Sequence, residues 1–132
     1  MTQKKNMLNV QSPDCITIAT IVHEIMHALG CYHEHVRPDR DDYVSIDTSA
    51  LKEKYQKDQS YWDANYARMS SSQVDLYGIP YDYTSVMHYS KYAAAASYSR
   101  PVLVAKKPWK GDFGNEVGMT DSDVKMLNKM YC

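Results

Sequence analysis

The stretch "TIVHEIMHALGCYHEHVRPDRDDY", Thr20 to Tyr43, holds four of the chain's five histidines within thirteen positions. Its first half belongs to a longer run, "CITIATIVHEIMHAL" (Cys15 to Leu29), that contains neither Gly nor Pro. Apolar Ile16, Ala19, Val22, Ile25, Met26 and Leu29 recur at helical spacing, and Ile18 and Ile21 make the segment apolar nearly all round. That pattern predicts a helix buried on most sides. Thr20, His23, Glu24 and His27 form the one polar stripe left. Gly30 ends the pattern, as a glycine in the left-handed conformation just past a helix would.

The polar stripe carries the chemistry. His23 and His27, four positions apart, lie one helical turn from each other on one face. Two imidazole nitrogens so placed can bind one Zn²⁺ at about 2.0–2.1 Å each. Glu24, next to the first of them, can reach a water on such a metal. H-E-x-x-H arises by chance on the order of once in several hundred chains of this size, and adding Gly30 and His33 lowers that roughly another thousandfold. The full spacing, H-E-x-x-H-x-x-G-x-x-H, is the metzincin signature. Gly30 permits the turn that returns His33 towards the other two histidines. Three histidines and a neighbouring glutamate leave a coordination position open, where a purely structural zinc site would close it.

The longer string "HEIMHALGCYHEHVRPDRDDYV" resembles the astacin family of zinc endopeptidases. Every fixed position of that family's extended motif is matched, by His23, Glu24, His27, Gly30, His33, Glu34, Arg37, Asp39, Arg40 and Asp41. "PYDYTSVMHY" resembles the family's Met-turn, and the last dozen residues its closing helix and terminal cysteine. The resemblance implies an α+β, zincin-like catalytic domain holding one Zn²⁺ per chain through His23, His27 and His33. It makes Glu24 the general base and Tyr89 both a zinc ligand at rest and a hydrogen-bond donor to the transition state. Met87 becomes the apolar floor under the metal, and Glu34 the anchor of a mature N-terminus through a water-mediated bridge. His35 and His88 are packing groups. Arg100, Lys106, Lys107 and Lys110 fall in a region that borders the substrate pocket in relatives, although each reads more simply as part of a solvated basic loop.

The implied function is hydrolysis of peptide bonds in peptide or protein substrates. An inactive chain serving as a zinc-binding or protein-binding module is the alternative. The implied layout places the last strand of an N-terminal lobe at 1–14, the zinc helix and motif at 15–43, and a C-terminal lobe at 44–132. Most of the N-terminal sheet would lie in a preceding segment, so such a segment or a partner is expected to cover the apolar helix. Cys15 and Cys132 would each pair with a cysteine there, leaving Cys31 as an extra thiol. Secretion is implied by the family, while "MTQKKNMLNV" shows no apolar core of a signal peptide.

The remaining chain is consistent with one domain of 132 residues. A net charge of −1 supplies no electrostatic ground for a nucleic-acid partner. No apolar run approaches the ~20 residues of a membrane span. "NMLNVQ" (6–11) and "PVLVA" (101–105) read as strands, while 45–84 read mostly as ordered loop with a helical turn or two at "LKEKYQK". Thr120 is an expected N-cap with Asp123 completing a capping box, and Val124, Leu127 and Met130/Tyr131 the apolar face of the helix that follows.

Overall fold

The structure, a computed structural model, describes residues 17–132. The expected strand at 6–11 and Cys15 lie outside them. The first helix, α1, spans Ile18–Ala28. Thr17 caps it, its side chain accepting from the Thr20 amide at 3.1 Å. At the other end the Gly30 amide donates to the His27 carbonyl and the Cys31 amide to the Met26 carbonyl. That pair of bonds is a Schellman motif, and Gly30 takes the φ of +95° it requires. The helix buries Ala19 and Met26, while Ile18, Ile25 and Leu29 remain exposed. The expected apolar girdle is therefore real, but only one side of it is packed among the described residues.

Beyond α1 the backbone passes through two 3₁₀ turns, Glu34–Val36 and Arg40–Asp42, into β1, Val44–Ile46. β1 pairs antiparallel with β2, Leu103–Ala105, with Val44 opposite Ala105 and Ile46 opposite Leu103. β2 falls within the run read as a strand. β1 was hidden because three residues are too few to display alternation. Val44 and Leu103 point inward and are fully buried, whereas Ser45 and Val104 face out.

The helical turn expected at "LKEKYQK" is α2, Glu53–Gln56, and a second helix, α3 at Gln59–Asn65, lies where loop was expected. α3 begins at an Asp58 cap that accepts from the Tyr61 amide at 3.0 Å. It has no buried residue, hence no apolar stripe to betray it. The helix is held from its end, where Tyr66 is fully buried and donates to the Ala93 carbonyl at 2.9 Å. Tyr66 sits in the larger of two cores, with Val44, Leu51, Tyr81, Tyr83, Val102, Leu103 and Phe113. The smaller core joins Ala19 and Met26 of α1 to Val86 and Met87, with Leu127 packed against it.

The last helix, α4, spans Asp121–Tyr131 and starts with the expected Thr120–Asp123 capping box. Its packed face needs a correction. Asp123 is buried and Met126, Leu127 and Met130 are half-buried, while Val124 and Tyr131 are exposed. Positions 123, 126, 127 and 130 form one helical face, and the two exposed residues flank it. No helix among the described residues is long and apolar enough to cross a membrane.

Candidate metal centre and catalytic site

The two histidine-bearing segments of the chain meet in space. α1 presents His23 and His27 on one face, the Schellman turn reverses the chain, and His33 comes back to them. The His33 Nε2 lies 3.1 Å from the His23 Nε2 and 3.0 Å from the His27 Nε2. The backs of the first two rings are tied to backbone. His23 Nδ1 lies 2.7 Å from the Val86 carbonyl, and His27 Nδ1 2.8 Å from the Cys31 carbonyl. A carbonyl only accepts, so both Nδ1 atoms carry protons and both Nε2 lone pairs point inward. Burial, followed by the neighbouring imidazoles, lowers the His33 pKa to about 2, so its ring is neutral. Lone pairs converging in this way repel one another unless a cation sits among them. Nitrogens at 2.0–2.1 Å from a tetrahedral Zn²⁺ would be separated by about 3.3–3.4 Å, close to the 3.0 and 3.1 Å that part His33 from the other two. The donor set fits zinc.

The second segment packs against the first. In the turn 82–88 the Asp82 carboxylate accepts from the Thr84 amide at 2.8 Å, and the Ser85 amide donates to the Asp82 carbonyl. Met87 is buried there, and its carbonyl accepts from the Glu34 amide at 2.9 Å, one residue past His33. Gly114 closes over this turn so tightly that a Cβ would stand 2.6 Å from the His88 carbonyl oxygen. Asp123 clamps it from α4, accepting from the Ser85 hydroxyl at 2.6 Å and the Val86 amide at 3.0 Å. Val86 is the residue whose carbonyl holds His23, so the α4 cap is linked to a zinc-ligand candidate through a single residue.

Tyr89 lies beside the triad, its ring 4.4 Å from that of His33 and 4.2 Å from that of His35. Burial first, then Tyr61 and the nearby Glu24 carboxylate, raise its phenol pKa, keeping it a hydrogen-bond donor. Glu24 is half-buried on the same helix as His23 and His27. His35 and His88 are buried packing groups, as expected. His35 Nε2 bonds the Asn65 carbonyl at 2.8 Å, and His88 Nε2 bonds the Tyr81 hydroxyl at 2.7 Å.

Glu34 faces away from this centre. Its carboxylate accepts from Arg37 Nη1 and from the Asp82 amide, both at 2.9 Å. It lines a cavity of about 240 Å³ with His33, Met26, Met87, Leu76 and Met130, but neither Glu24 nor Tyr89 borders that space. Burial pushes the Glu34 carboxyl up to about 7 despite the pull of Arg37. Arg37 also grips Asp39 with two bonds of 2.8 and 2.9 Å, and Arg40 caps the His35 and Tyr66 carbonyls. The charged half of the motif thus braces the turns that carry His33.

Three of the four downstream cations are engaged elsewhere. Arg100 pairs with Asp47 at 2.7 Å, Lys106 donates to the Asp41 carbonyl, and Lys107 lies 3.7 Å over the Tyr43 ring. Asn65 and the second role of Asp123 were not foreseen, since neither lies in a motif.

The sequence profile of the astacin peptidase family matches residues 1–132. The chain belongs to the astacin family. Among its relatives, zinc metalloproteinase nas-34 of Caenorhabditis elegans is 37% identical over 118 residues, covering 89% of this chain and 18% of that protein. Human meprin A subunit beta is 39% identical over 119 residues, covering 89% of this chain and 16% of the relative. The solved high choriolytic enzyme 1, a hatching-enzyme zinc protease of medaka (Oryzias latipes), superposes with a TM-score of 0.72 at 30% identity. That match covers 86% of this chain and 52% of the other, so this astacin chain spans about half of that structure. Its fold is accordingly part of an α+β, zincin-like catalytic domain.

Proposed function

We propose that this astacin chain is a zinc-dependent endopeptidase in which His23, His27 and His33 hold one Zn²⁺ and Glu24 is the general base. The observation that carries this reading is the convergence of three histidines, with the His33 Nε2 3.0 and 3.1 Å from the Nε2 atoms of His27 and His23 and those two rings backed by backbone carbonyls. Zinc held there would supply Lewis acidity for the scissile carbonyl and a water acidified towards a pKa of ~7. Glu24 would take a proton from that water onto a carboxylate oxygen and pass it to the leaving amine nitrogen. Tyr89 would be a further ligand at rest and, once displaced, would donate its hydroxyl in a hydrogen bond to the developing oxyanion. Met87 would form the apolar base below the histidines, and the turn it sits in holds His23 through the Val86 carbonyl.

The buried Glu34 carboxylate, facing a cavity, suits the anchoring of a mature N-terminal amine. Cys31 and Cys132 are free thiols among the described residues, and the exposed Cys132 is available to a cysteine outside them. We assign the chain to the part of the domain that follows most of the N-terminal sheet, working outside the cell on peptide or protein substrates. The exposed Ile18, Ile25 and Leu29 favour one competing reading, an inactive zinc-binding or protein-binding module whose apolar face takes a partner.

Cleavage of a quenched fluorogenic peptide set, with o-phenanthroline and with Glu24→Gln, separates the two. The protease reading expects turnover that the chelator abolishes and that Glu24→Gln lowers at least ~10²-fold with zinc still bound. Stoichiometric zinc without turnover would leave the binding module instead.

A further inference from the structure

The Tyr89 hydroxyl carries one proton, and that proton is already in use. It is donated to Asn65 Oδ1 at 3.1 Å. Asn65 is the last residue of α3, twenty-four positions upstream and outside every motif. A second bond sets the orientation of its amide, in which Nδ2 donates to the Tyr61 carbonyl at 2.9 Å. A flipped amide would face that carbonyl with its own oxygen, two acceptors with no proton between them. The end of α3 is fixed in turn, because the Asn65 carbonyl accepts from Nε2 of the buried His35 at 2.8 Å.

With its proton on Asn65, the phenol oxygen of Tyr89 has only lone pairs to offer. Lone pairs suit a cation, which is the part proposed for Tyr89 at rest. They do not suit an oxyanion, which needs the proton. Before Tyr89 can donate to a developing oxyanion, the bond to Asn65 has to break. That bond is made in the resting protein and is absent from the transition state. It therefore stabilises only the resting protein and adds to the barrier.

The geometry points to Asn65 as a brake on Tyr89, a positioning residue that keeps the hydroxyl proton at rest and must release it before the tyrosine can act. This rests on the reading of Tyr89 as an oxyanion donor once displaced. A residue so placed slows the reaction it borders. Its removal is expected to raise turnover, the opposite of what the loss of a supporting contact does.

The test is a cycle of Asn65→Ala, Tyr89→Phe and the double variant, read as kcat/KM, which compares the transition state with the free protein. Asn65→Ala is expected to raise kcat/KM about five- to tenfold, the scale of one neutral hydrogen bond. In the Tyr89→Phe background it should change nothing. An unchanged or lower kcat/KM in Asn65→Ala, or a rise that persists without the Tyr89 hydroxyl, overturns the assignment. A second readout needs no turnover. In EDTA-treated chain labelled with 3-fluorotyrosine, whose fluorine neighbours the hydroxyl, the Tyr89 resonance is identified by its loss in Tyr89→Phe. Asn65→Ala should shift it, and a resonance that stays in place also overturns the assignment. If the chain cleaves no peptide while that resonance shifts, the protease reading falls and the hold of Asn65 on the hydroxyl stands. Should Asn65→Ala not fold, Asn65→Leu, which fills the space but offers no acceptor, replaces it under the same criteria.

Discussion

Gly30 shows how one residue converts a helix into a three-point site. Its amide closes the helix end, and its φ of +95° sends the chain back so that His33 can meet His23 and His27. A Cβ there would meet only Met130 Cε at 3.6 Å, an ordinary contact, so the cost of a larger residue is in the backbone. Gly30→Ala is expected to destabilise the fold by about 1–2 kcal/mol and to weaken zinc binding, because the strain lies between two ligands. Urea denaturation and a competitive zinc titration check the two effects. A variant with unchanged zinc affinity would mean that His33 finds its place independently of the turn.

At the scale of elements, the site depends on a contact between the last helix and the turn under the metal. Asp123 accepts from Ser85 and Val86 while capping α4 through Thr120. Its removal strands two buried donors, each worth roughly 1–3 kcal/mol if left unpaired, and frees the half-buried Thr120 amide. Asp123→Ala should therefore cost about 2–4 kcal/mol of stability. It should also loosen the Val86 carbonyl from His23 Nδ1, reducing zinc affinity although Asp123 touches no ligand. Melting curves read the first effect, and a zinc titration of the folded variant reads the second. A variant that melts early yet binds zinc normally would confine Asp123 to capping.

At the scale of the whole molecule, two buried imidazoles make the fold sensitive to acid. Burial lowers His88 from 6.5 to about 4 and His35 from 6.5 to about 3. Below their ordinary value the unfolded chain takes up protons that the folded chain refuses, so acid favours unfolding. Stability should fall as pH drops from about 6.5 towards 4. Urea midpoints of the EDTA-treated chain at about pH 7 and about pH 5 measure the drop. His88→Asn, which has no proton to gain, should make the drop smaller, with the share of the other buried imidazoles remaining; an equal drop in that variant would place the acid sensitivity elsewhere.

The sequence by itself determined which atoms could bind a metal. Histidines at helical spacing, a glutamate beside the first and a glycine three past the second are local relations, set by about 3.6 residues per turn and by one positive φ. The capping box at Thr120 and Asp123 and the strand within 101–105 were legible for the same reason, since their signals lie within a few residues. Only the tertiary structure decided what supports those atoms. β1 exists because β2 lies beside it, and α3 is held by the burial of Tyr66 rather than by an apolar stripe of its own. Val86 grips His23 across 63 positions, and Asn65 grips Tyr89 across 24. Such bonds leave no trace in spacing, because the distance they bridge is closed by the packing of the whole lobe and not by the local geometry of the chain.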